Sequence, residues 1–243
     1  MLYHNAYFTS ASLYRNTIFL LIAASNAAFL SFRGIRLKEE QLKYLKGTTT
    51  VGLACSDGVV LAADSRATMG YLVASKKARK VYKITESIGA TVAGGVADTE
   101  DLINIMRAEA GYYSFREGKP MDVRAAARLA ANVLHAYRFF PYIANLIVGG
   151  VGVEDRGLYF IDLDGSLTEE NMVSTGSGSP VAYGVIETEF RDGMSTDEAV
   201  PIAIKAVRTA MKRDIATGNE LAVAVITKTG FRELTPEEIK KLA

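Results

Sequence analysis

The sequence divides at Leu45-Lys46-Gly47-Thr48-Thr49-Thr50-Val51-Gly52. We predict that the Gly47–Thr48 peptide bond is cut, so that Thr48 becomes the N-terminus of a single domain formed by residues 48–243. A free α-amine has a pKa of about 7.7–8.0, so it can act as the base for the hydroxyl group of the same residue. Gly47 favours the cut because it has no Cβ and lets that hydroxyl approach its carbonyl. For these residues alone, an uncut β-strand rich in Thr and Val is the alternative.

The composition of the chain excludes several classes of function. Lysine and arginine number 28 against 27 aspartate and glutamate residues, so there is no basic excess that would indicate nucleic-acid binding. Cys55 is the only cysteine, which excludes a disulfide framework and a cysteine zinc site, and its apolar surroundings predict a core strand. The only histidines are His4 and His135, so we expect neither a histidine triad nor a metal site. A hydrolase of this sequence needs another base, and an N-terminal amine is one.

The leader, residues 1–47, is left out of the fold prediction. Its apolar segment at 17–30 is interrupted by two polar residues and is shorter than the roughly 20 residues of a membrane span. It resembles the core of a signal peptide, but we favour a removable pro-segment or a start codon assigned too far upstream over export. The charged segment 36–46 is expected to form a short amphipathic helix. We expect no membrane association and a cytoplasmic location.

The patterns after residue 48 predict strands, two helices, strands, two helices and strands. Strands are expected over residues 48–56, 59–63, 81–84, 90–95, 144–153, 157–163, 167–173, 221–228 and 231–234, and helices over 97–115, from Asp122 to about 137, and over 180–190, 195–213 and 236–243. Runs of one class argue for an α+β fold and against alternating βαβ units. We predict a four-layer αββα sandwich, in which two antiparallel sheets lie between two pairs of helices.

Local signals support several of these elements. Asp57-Gly58 between apolar runs is typical of a two-residue hairpin turn, and this hairpin would bring Asp64 close to the start of the first strand. The second strand is expected to end at Asp64-Ser65-Arg66-Ala67. A loop around Met69-Gly70 and a basic segment follow, in which Lys76 and Lys77 are expected to be solvated. Asp122 can cap the second helix, and Ser195-Thr196-Asp197-Glu198 is a capping box that begins a later one.

Three further segments have both a structural and a functional interpretation. Lys80 precedes a predicted strand, where a buried ammonium group would stabilise negative charge beside a catalytic amine. Gly94-Gly95 before a helix is either a tight turn or a place where a backbone N–H contacts a substrate oxygen. Residues 174–180 are small and polar, so they form either a loop with a helix cap or a group of hydroxyls near an active site.

Taken in order, the motifs of residues 48–243 resemble the β-subunits of the 20S proteasome, most closely those of archaea. The matching motifs are Gly47-Thr48-Thr49-Thr50-Val51-Gly52, Gly58-Val59-Val60-Leu61-Ala62-Ala63-Asp64-Ser65-Arg66-Ala67, Lys80-Val81-Tyr82-Lys83-Ile84, Ala93-Gly94-Gly95, Gly176-Ser177-Gly178-Ser179, and Asp214 with Thr217-Gly218. This family usually has serine where this chain has Thr217. Archaeal members usually carry a much shorter leader.

The resemblance implies an N-terminal nucleophile hydrolase fold and a threonine-type endopeptidase that needs no cofactor or metal. It implies that Thr48 is the nucleophile and its amine the base, and that Gly47–Thr48 is the bond cut autocatalytically in a zymogen. It further implies that Asp64 and Lys80 form a buried pair that orients the nucleophile, and that Gly94 N–H is the oxyanion donor. Ser177, Asp214 and Thr217 would support the amine. The residues that match the family's specificity pocket are Ala67, Ala78, Val92, Val96 and Glu100.

The resemblance also implies partners. The family assembles as heptameric rings, two of β-subunits between two of α-subunits, around a chamber that only unfolded polypeptides enter. The other β-subunits of the ring would be copies or a paralogue, and an unfoldase ATPase would act through the α-ring. The small apolar walls of the pocket predict cleavage after hydrophobic residues of moderate size, while Glu100 at its rim would admit a basic residue.

Other interpretations stay open from the sequence. A non-catalytic or partner-activated structural β-subunit of the same particle is the main alternative, but Gly47, Thr48, Asp64 and Lys80 are all present and favour the active form. A simpler bacterial threonine peptidase partnered by an ATPase fits the mature length and the last strands less well. An exported amidase of the same superfamily is supported only by the apolar leader.

Overall fold

The computed structural model of the chain describes residues 47–152 and 156–242. The predictions for the leader, which include its removal as a separate segment, its apolar run and its short helix, therefore lie outside the described residues except for Gly47. The end of the predicted strand 144–153 and the last residue of the chain also lie outside them.

The order of strands and helices follows the predicted succession. The strands are β1 Thr50–Ala54, β2 Gly58–Asp64, β3 Ala67–Met69, β4 Leu72–Ser75, β5 Val81–Lys83, β6 Ile88–Gly94, β7 Ala144–Val151, β8 Arg156–Ile161, β9 Leu167–Glu169, β10 Met172–Thr175, β11 Leu221–Thr227 and β12 Gly230–Glu233. The helices are α1 Val96–Glu117, α2 Val123–Ala136, α3 Ser179–Glu189, α4 Thr196–Met211 and α5 Pro236–Lys241. Asp122 caps α2 through Arg124 N–H, and the capping box of Ser195 and Glu198 is formed at α4, both as predicted.

The strands form two five-stranded antiparallel sheets. The first has the order β10-β1-β2-β11-β12 and the second the order β5-β6-β7-β8-β9. A separate two-stranded sheet is formed by β3 and β4. Because all the recorded strand pairs are antiparallel and the helices come in blocks, the fold is of the predicted α+β class.

Three buried apolar clusters hold the sheets and helices together. One apolar cluster joins the second sheet to α1 and α2, another joins the first sheet to α3 and α4, and a third lies between the two sheets. Strand β2 contributes side chains to two of these clusters. Val60 and Ala62 face the helices, whereas Val59 and Leu61 face the other sheet, since successive side chains of a strand point to opposite faces. This arrangement is the predicted four-layer αββα sandwich.

Two of the sequence predictions are wrong in detail. Residues 67–75, predicted as loop, form the hairpin β3–β4, which turns at Gly70 with φ 61°. Its side chains are mostly exposed, so the alternation that marks a half-buried strand is missing there. Residues 167–173, predicted as one strand, form two strands that belong to different sheets, β9 beside β8 and β10 beside β1.

The first hairpin positions the region around Thr48. In the β1–β2 pair, Thr50 lies opposite Ala63, and Asp64 N–H donates to Thr49 O at 3.2 Å. Asp64 is therefore brought beside the start of β1, as the predicted hairpin indicates. The turn itself lies one residue earlier than predicted, at Ser56-Asp57, because Cys55 N–H donates to Gly58 O at 2.7 Å and Gly58 already belongs to β2. In the part of the chain that the structure describes, none of the helices has the length and apolar composition needed to cross a bilayer.

Candidate active site

Thr48 lies two residues before β1 and is almost fully buried, with 3% of its surface exposed. It is joined here to Gly47, so its nitrogen is an amide nitrogen that donates to Ser177 Oγ at 3.3 Å. Its own hydroxyl group donates to the carbonyl oxygen of Gly47 at 2.5 Å. The hydroxyl thus lies against the carbonyl group of the bond that the sequence predicts to be cut.

Asp64, the last residue of β2, is held from four directions. Its Oδ1 accepts from Thr49 N–H at 2.9 Å and from Lys80 Nζ at 2.8 Å. Its Oδ2 accepts from Arg66 N–H and Gly218 N–H, both at 2.9 Å. A buried carboxylate with this many donors has one fixed orientation.

Lys80, the residue before β5, places a buried amine between this carboxylate and the junction. Besides its bond to Asp64, Lys80 Nζ donates to the carbonyl oxygen of Gly47 at 3.3 Å. Burial lowers the pKa of Lys80 below its ordinary value, whereas the neighbouring Asp64 works in the opposite direction. A positive group is therefore directed at the oxygen on which negative charge would develop if the Gly47 carbonyl were attacked.

A second carboxylate, Asp214, lies in the loop between α4 and β11. Its Oδ2 accepts from the hydroxyls of Ser177 and Thr217, both at 2.5 Å. Ser177 belongs to the loop between β10 and α3, where Gly178 N–H donates to Thr48 O at 3.3 Å. The structure thus brings Ser177, Asp214 and Thr217 together next to Thr48.

Gly94 is the last residue of β6 and lines the same pocket as Thr48. Its φ of 152° lies in the region that L side chains rarely adopt, and an added Cβ would come 1.9 Å from Ile143 O. Only glycine therefore fits this backbone without a shift of its neighbours.

A pocket of about 480 Å³ opens beside these residues and is lined by Thr48, Lys80 and Gly94. All five residues predicted for the specificity pocket line it, namely Ala67, Ala78, Val92, Val96 and Glu100. Thr68, Ser75, Lys77, Arg79 and Thr99 line it as well. The pocket therefore combines small apolar side chains with a rim on which Glu100 and Lys77 are both exposed.

The sequence prediction missed residues that hold the loop of Asp214. Arg66 Nη1 donates to Ile215 O at 2.7 Å, and its Nε donates to Asn219 Oδ1 at 2.9 Å. Asn219 has φ 72° and is the non-glycine residue with positive φ among the described residues. Arg66 stands within a quoted motif, but no signal in the sequence indicates that its side chain contacts this loop.

The described residues contain no group of three or more His, Cys, Asp or Glu side chains that could hold a metal ion. His135 lies in α2, where its Nδ1 is 3.2 Å from Asp164 O, and does not belong to the set around Thr48. The chemistry available at Thr48 is therefore that of a hydroxyl group beside a fixed carboxylate, an amine and backbone N–H groups. Such a set is suited to acyl transfer.

Comparison with known proteins gives one consistent family. The family model "Proteasome subunit" matches residues 44–226. A protein of Methanothermobacter thermautotrophicus named "Proteasome subunit beta" is 49% identical over 198 residues, which are 81% of this chain and 94% of that protein. Proteins of the same name from Methanoregula boonei and Methanopyrus kandleri are 47% and 48% identical, over 84% and 81% of this chain and 97% and 95% of their own lengths.

Proposed function

Since this chain belongs to the proteasome subunit family and is an archaeal-type β-subunit of the 20S proteasome, we propose that it is a threonine-type endopeptidase with Thr48 as the nucleophile. The observation that carries the proposal is the environment of the Gly47 carbonyl oxygen. This oxygen accepts from Thr48 Oγ1 at 2.5 Å and from Lys80 Nζ at 3.3 Å, and Asp64 fixes the lysine.

The first reaction is the cut that releases the leader, residues 1–47. Thr48 Oγ attacks the carbonyl carbon of Gly47, and the negative charge that forms on the Gly47 oxygen is stabilised by Lys80. The C–N bond then breaks as the Thr48 nitrogen takes up the proton that the Thr48 hydroxyl has lost, which leaves an ester between Gly47 and Thr48 Oγ. Water hydrolyses this ester, so that Gly47 ends in a carboxylate and Thr48 has a free amine and hydroxyl. The leader is thus a propeptide and the uncut chain a zymogen.

The second reaction is hydrolysis of peptide substrates. The Thr48 amine takes the hydroxyl proton as Oγ attacks the substrate carbonyl, and the resulting ammonium group gives a proton to the leaving amine. Gly94 N–H is the proposed donor to the substrate oxyanion. Water then hydrolyses the ester, again with the amine as base. Ser177, whose hydroxyl is held by Asp214, gives the amine nitrogen a fixed hydrogen-bond partner.

The pocket supports a preference for cleavage after hydrophobic residues of moderate size. Ala67, Ala78 and Val92 offer small apolar walls, and Val96 reduces the depth available to a large side chain. Exposed Glu100 provides a carboxylate for a basic residue at the rim. We expect slower cleavage after acidic residues than after hydrophobic ones, because these walls are apolar. Lys77, Arg79 and Lys80 also line the pocket, so a peptide panel with the fastest cleavage after acidic residues would contradict this preference.

Membership of the family implies assembly into proteasome particles. We propose the family arrangement for this chain, with heptameric β-rings made of copies or of a paralogue, flanked by α-rings, in the cytoplasm. Unfolded polypeptides would be its substrates, delivered by an unfoldase ATPase that acts through the α-ring. The site requires no cofactor in this mechanism.

The proposal is tested by intact mass and peptide hydrolysis of the chain assembled with its α-subunits. We expect a chain that begins at Thr48 and that hydrolyses peptides, and we expect Thr48→Ala to lose both the cut and the hydrolysis. Thr50→Ala is the matched control, because Thr50 is also a buried threonine of the same segment but its hydroxyl bonds Thr175 instead. Fully assembled particles that retain the leader would contradict the proposal and indicate the structural or partner-activated β-subunit.

A further inference from the structure

Thr49 follows the nucleophile and has a side chain that the mechanism above does not use. Its hydroxyl lies 2.7 Å from the hydroxyl of Thr217, and both residues are fully buried. Thr217 in turn lies 2.5 Å from Asp214 Oδ2. Thr49 is thereby connected, through one hydroxyl group, to the same carboxylate oxygen that holds Ser177.

The direction of these hydrogen bonds follows from counting protons. The Asp214 carboxylate can only accept, so the hydroxyls of Thr217 and Ser177 each donate their single proton to it. The oxygen of Thr217 is then free to accept from the Thr49 hydroxyl, and the oxygen of Ser177 accepts from Thr48 N–H. The N–H of Thr48 is therefore connected to Asp214 Oδ2 through the Ser177 hydroxyl, and the hydroxyl of Thr49 is connected to the same oxygen through the Thr217 hydroxyl.

The backbone of Thr49 is bound on the other side of the site. Thr49 N–H donates to Asp64 Oδ1 at 2.9 Å, which is the oxygen that also accepts from Lys80. Thr49 thus bonds the Asp64–Lys80 pair with its backbone and the Asp214 group with its side chain. It is a direct link between the two parts of the site that lie around Thr48.

The Thr49 hydroxyl is packed closely against Gly178 and Thr217. A Cβ added at Gly178 would come 2.0 Å from Thr49 Oγ1 and 3.0 Å from both Thr217 Oγ1 and the Ala210 side chain. Gly178 is also the residue whose N–H donates to Thr48 O. Loss of the Thr49 hydroxyl would therefore leave the buried Thr217 oxygen without its donor.

We propose that Thr49 is a positioning residue, whose hydroxyl fixes the orientation of Thr217 and Asp214 and thereby places Ser177 against the Thr48 nitrogen. This inference rests on the proposed function, since it concerns the base form of the Thr48 amine. When Thr49 donates to Thr217, the Thr217 hydroxyl becomes a stronger donor to Asp214. Without that donation Asp214 attracts a proton on the amine more strongly, so the pKa of the amine rises and less of it is available as a base.

The test uses assembled particles carrying Thr49→Val, Thr49→Ser or Thr50→Val. Thr50 is the matched control, because its buried hydroxyl is 2.6 Å from Thr175 Oγ1 in a hydroxyl pair of the same kind. For each variant kcat and KM are measured with a fluorogenic peptide, together with the pH profile of kcat/KM and the thermal midpoint. The charged groups near Thr48 are the same in all variants, namely Asp64, Lys80 and Asp214 around it and Lys77, Arg79 and Glu100 in the pocket that it lines.

We expect Thr49→Val to lower kcat about tenfold with little change in KM, since one hydrogen bond that supports the base is lost. The acidic limb of the pH profile should move upward by about 0.5 unit. Thr49→Ser should recover most of the kcat, and Thr50→Val should lower the thermal midpoint without moving the pH profile.

The proposal is overturned if Thr49→Val and Thr50→Val have the same kcat and the same pH profile. Should Thr49→Val not assemble, Thr49→Ala removes the hydroxyl without adding a methyl group, and an unshifted pH profile in that variant has the same meaning. Thr48→Ala separates the two proposals. If it keeps peptide hydrolysis, the proposed function fails, whereas if it abolishes hydrolysis, only the role of Thr49 is in question.

Discussion

The ammonium group of Lys80 lies 2.8 Å from the carboxylate of Asp64, and the two side chains are only 6% and 0% exposed. The pair is unequal in its other contacts. Asp64 also accepts from three backbone N–H groups, those of Thr49, Arg66 and Gly218. The further hydrogen bond of Lys80 is the long one, at 3.3 Å, to the carbonyl oxygen of Gly47.

This inequality predicts that the aspartate contributes more to stability than the lysine does. Asp64→Ala would leave three buried N–H groups unsatisfied next to a buried ammonium group, at a cost of about 3–5 kcal/mol. Lys80→Met would leave a carboxylate that keeps its three N–H donors, so we expect a loss smaller by about 2 kcal/mol. Urea unfolding of the full chain measures both, and an equal or larger loss for Lys80→Met would contradict the asymmetry.

Much of the fold could be predicted because its signals are local. The cap at Asp122 and the box at Ser195 each involve residues close in sequence, and each is present in the structure. The hairpin predicted from Asp57-Gly58 is also present, but its two turn residues are Ser56-Asp57, because Cys55 pairs with Gly58 and Gly58 is the first residue of β2. The split of residues 167–173 is a different case. Strands β9 and β10 find their partners in opposite sheets, and a short apolar pattern does not specify to which sheet a strand belongs.

The candidate site was even less predictable from local sequence signals. The hairpin is enough to place Asp64 beside β1, but Ser177, Asp214 and Thr217 were assigned through family resemblance. Thr49 was missed because its partner Thr217 is 168 residues away in the sequence, and threonine near the start of a strand is ordinary. Contacts of this kind follow only from the packing of the complete sandwich.

Thr217 gives a prediction about the methyl group that distinguishes it from serine. Thr217→Ser keeps the hydroxyl that bonds Asp214 and Thr49, so most of the kcat should be retained. Since Thr217 is fully buried, loss of its methyl group should lower the free energy of unfolding by about 1 kcal/mol. Thr217→Val should instead lower kcat about tenfold. Peptide hydrolysis and urea unfolding separate the two effects, and equal kcat values would show that the hydroxyl is dispensable.

Glu100 gives a prediction about substrate choice. As an exposed carboxylate at the rim of the pocket it should favour a basic residue by less than about 1 kcal/mol, or up to about fivefold in kcat/KM. Glu100→Gln should therefore lower kcat/KM for an arginyl peptide and change a leucyl peptide much less. Lys77→Gln, which removes a cation from the same rim, is the matched control and should change the arginyl peptide in the opposite direction. A parallel loss for both peptides would show that Glu100 acts on folding or assembly and not on specificity.

Cys55 gives a prediction about alkaline pH. Burial raises the pKa of this thiol from 9.0 to about 12. Above pH 9 the unfolded chain loses the thiol proton while the folded chain keeps it, so the folded state binds more protons and its stability falls as pH rises. The contribution is at most about 1.4 kcal/mol per pH unit.

The comparison is between the unchanged chain and Cys55→Ala. The difference in their free energies of unfolding should be constant below pH 9 and should shrink between pH 9 and 11. The native thiol should also resist a thiol reagent at pH 8. Rapid labelling of the folded chain would show that Cys55 is accessible and would remove the basis of the pH effect.

Asp64 accepts from Gly218 N–H, a group 154 residues further along the chain. Lys80, whose amine is directed at the Gly47 carbonyl, is held by Asp64. The hydrogen bonds of Asp64 are therefore complete only when the loop before β11, which contains Gly218, has packed against it. The proposed self-cleavage would then act as a checkpoint on maturation, since an incompletely folded chain would keep its leader and would not become a protease. In a refolding time course the species that begins at Thr48 should lag behind the near-ultraviolet signal of the tyrosines, and leader loss that precedes this signal would show that the checkpoint does not exist.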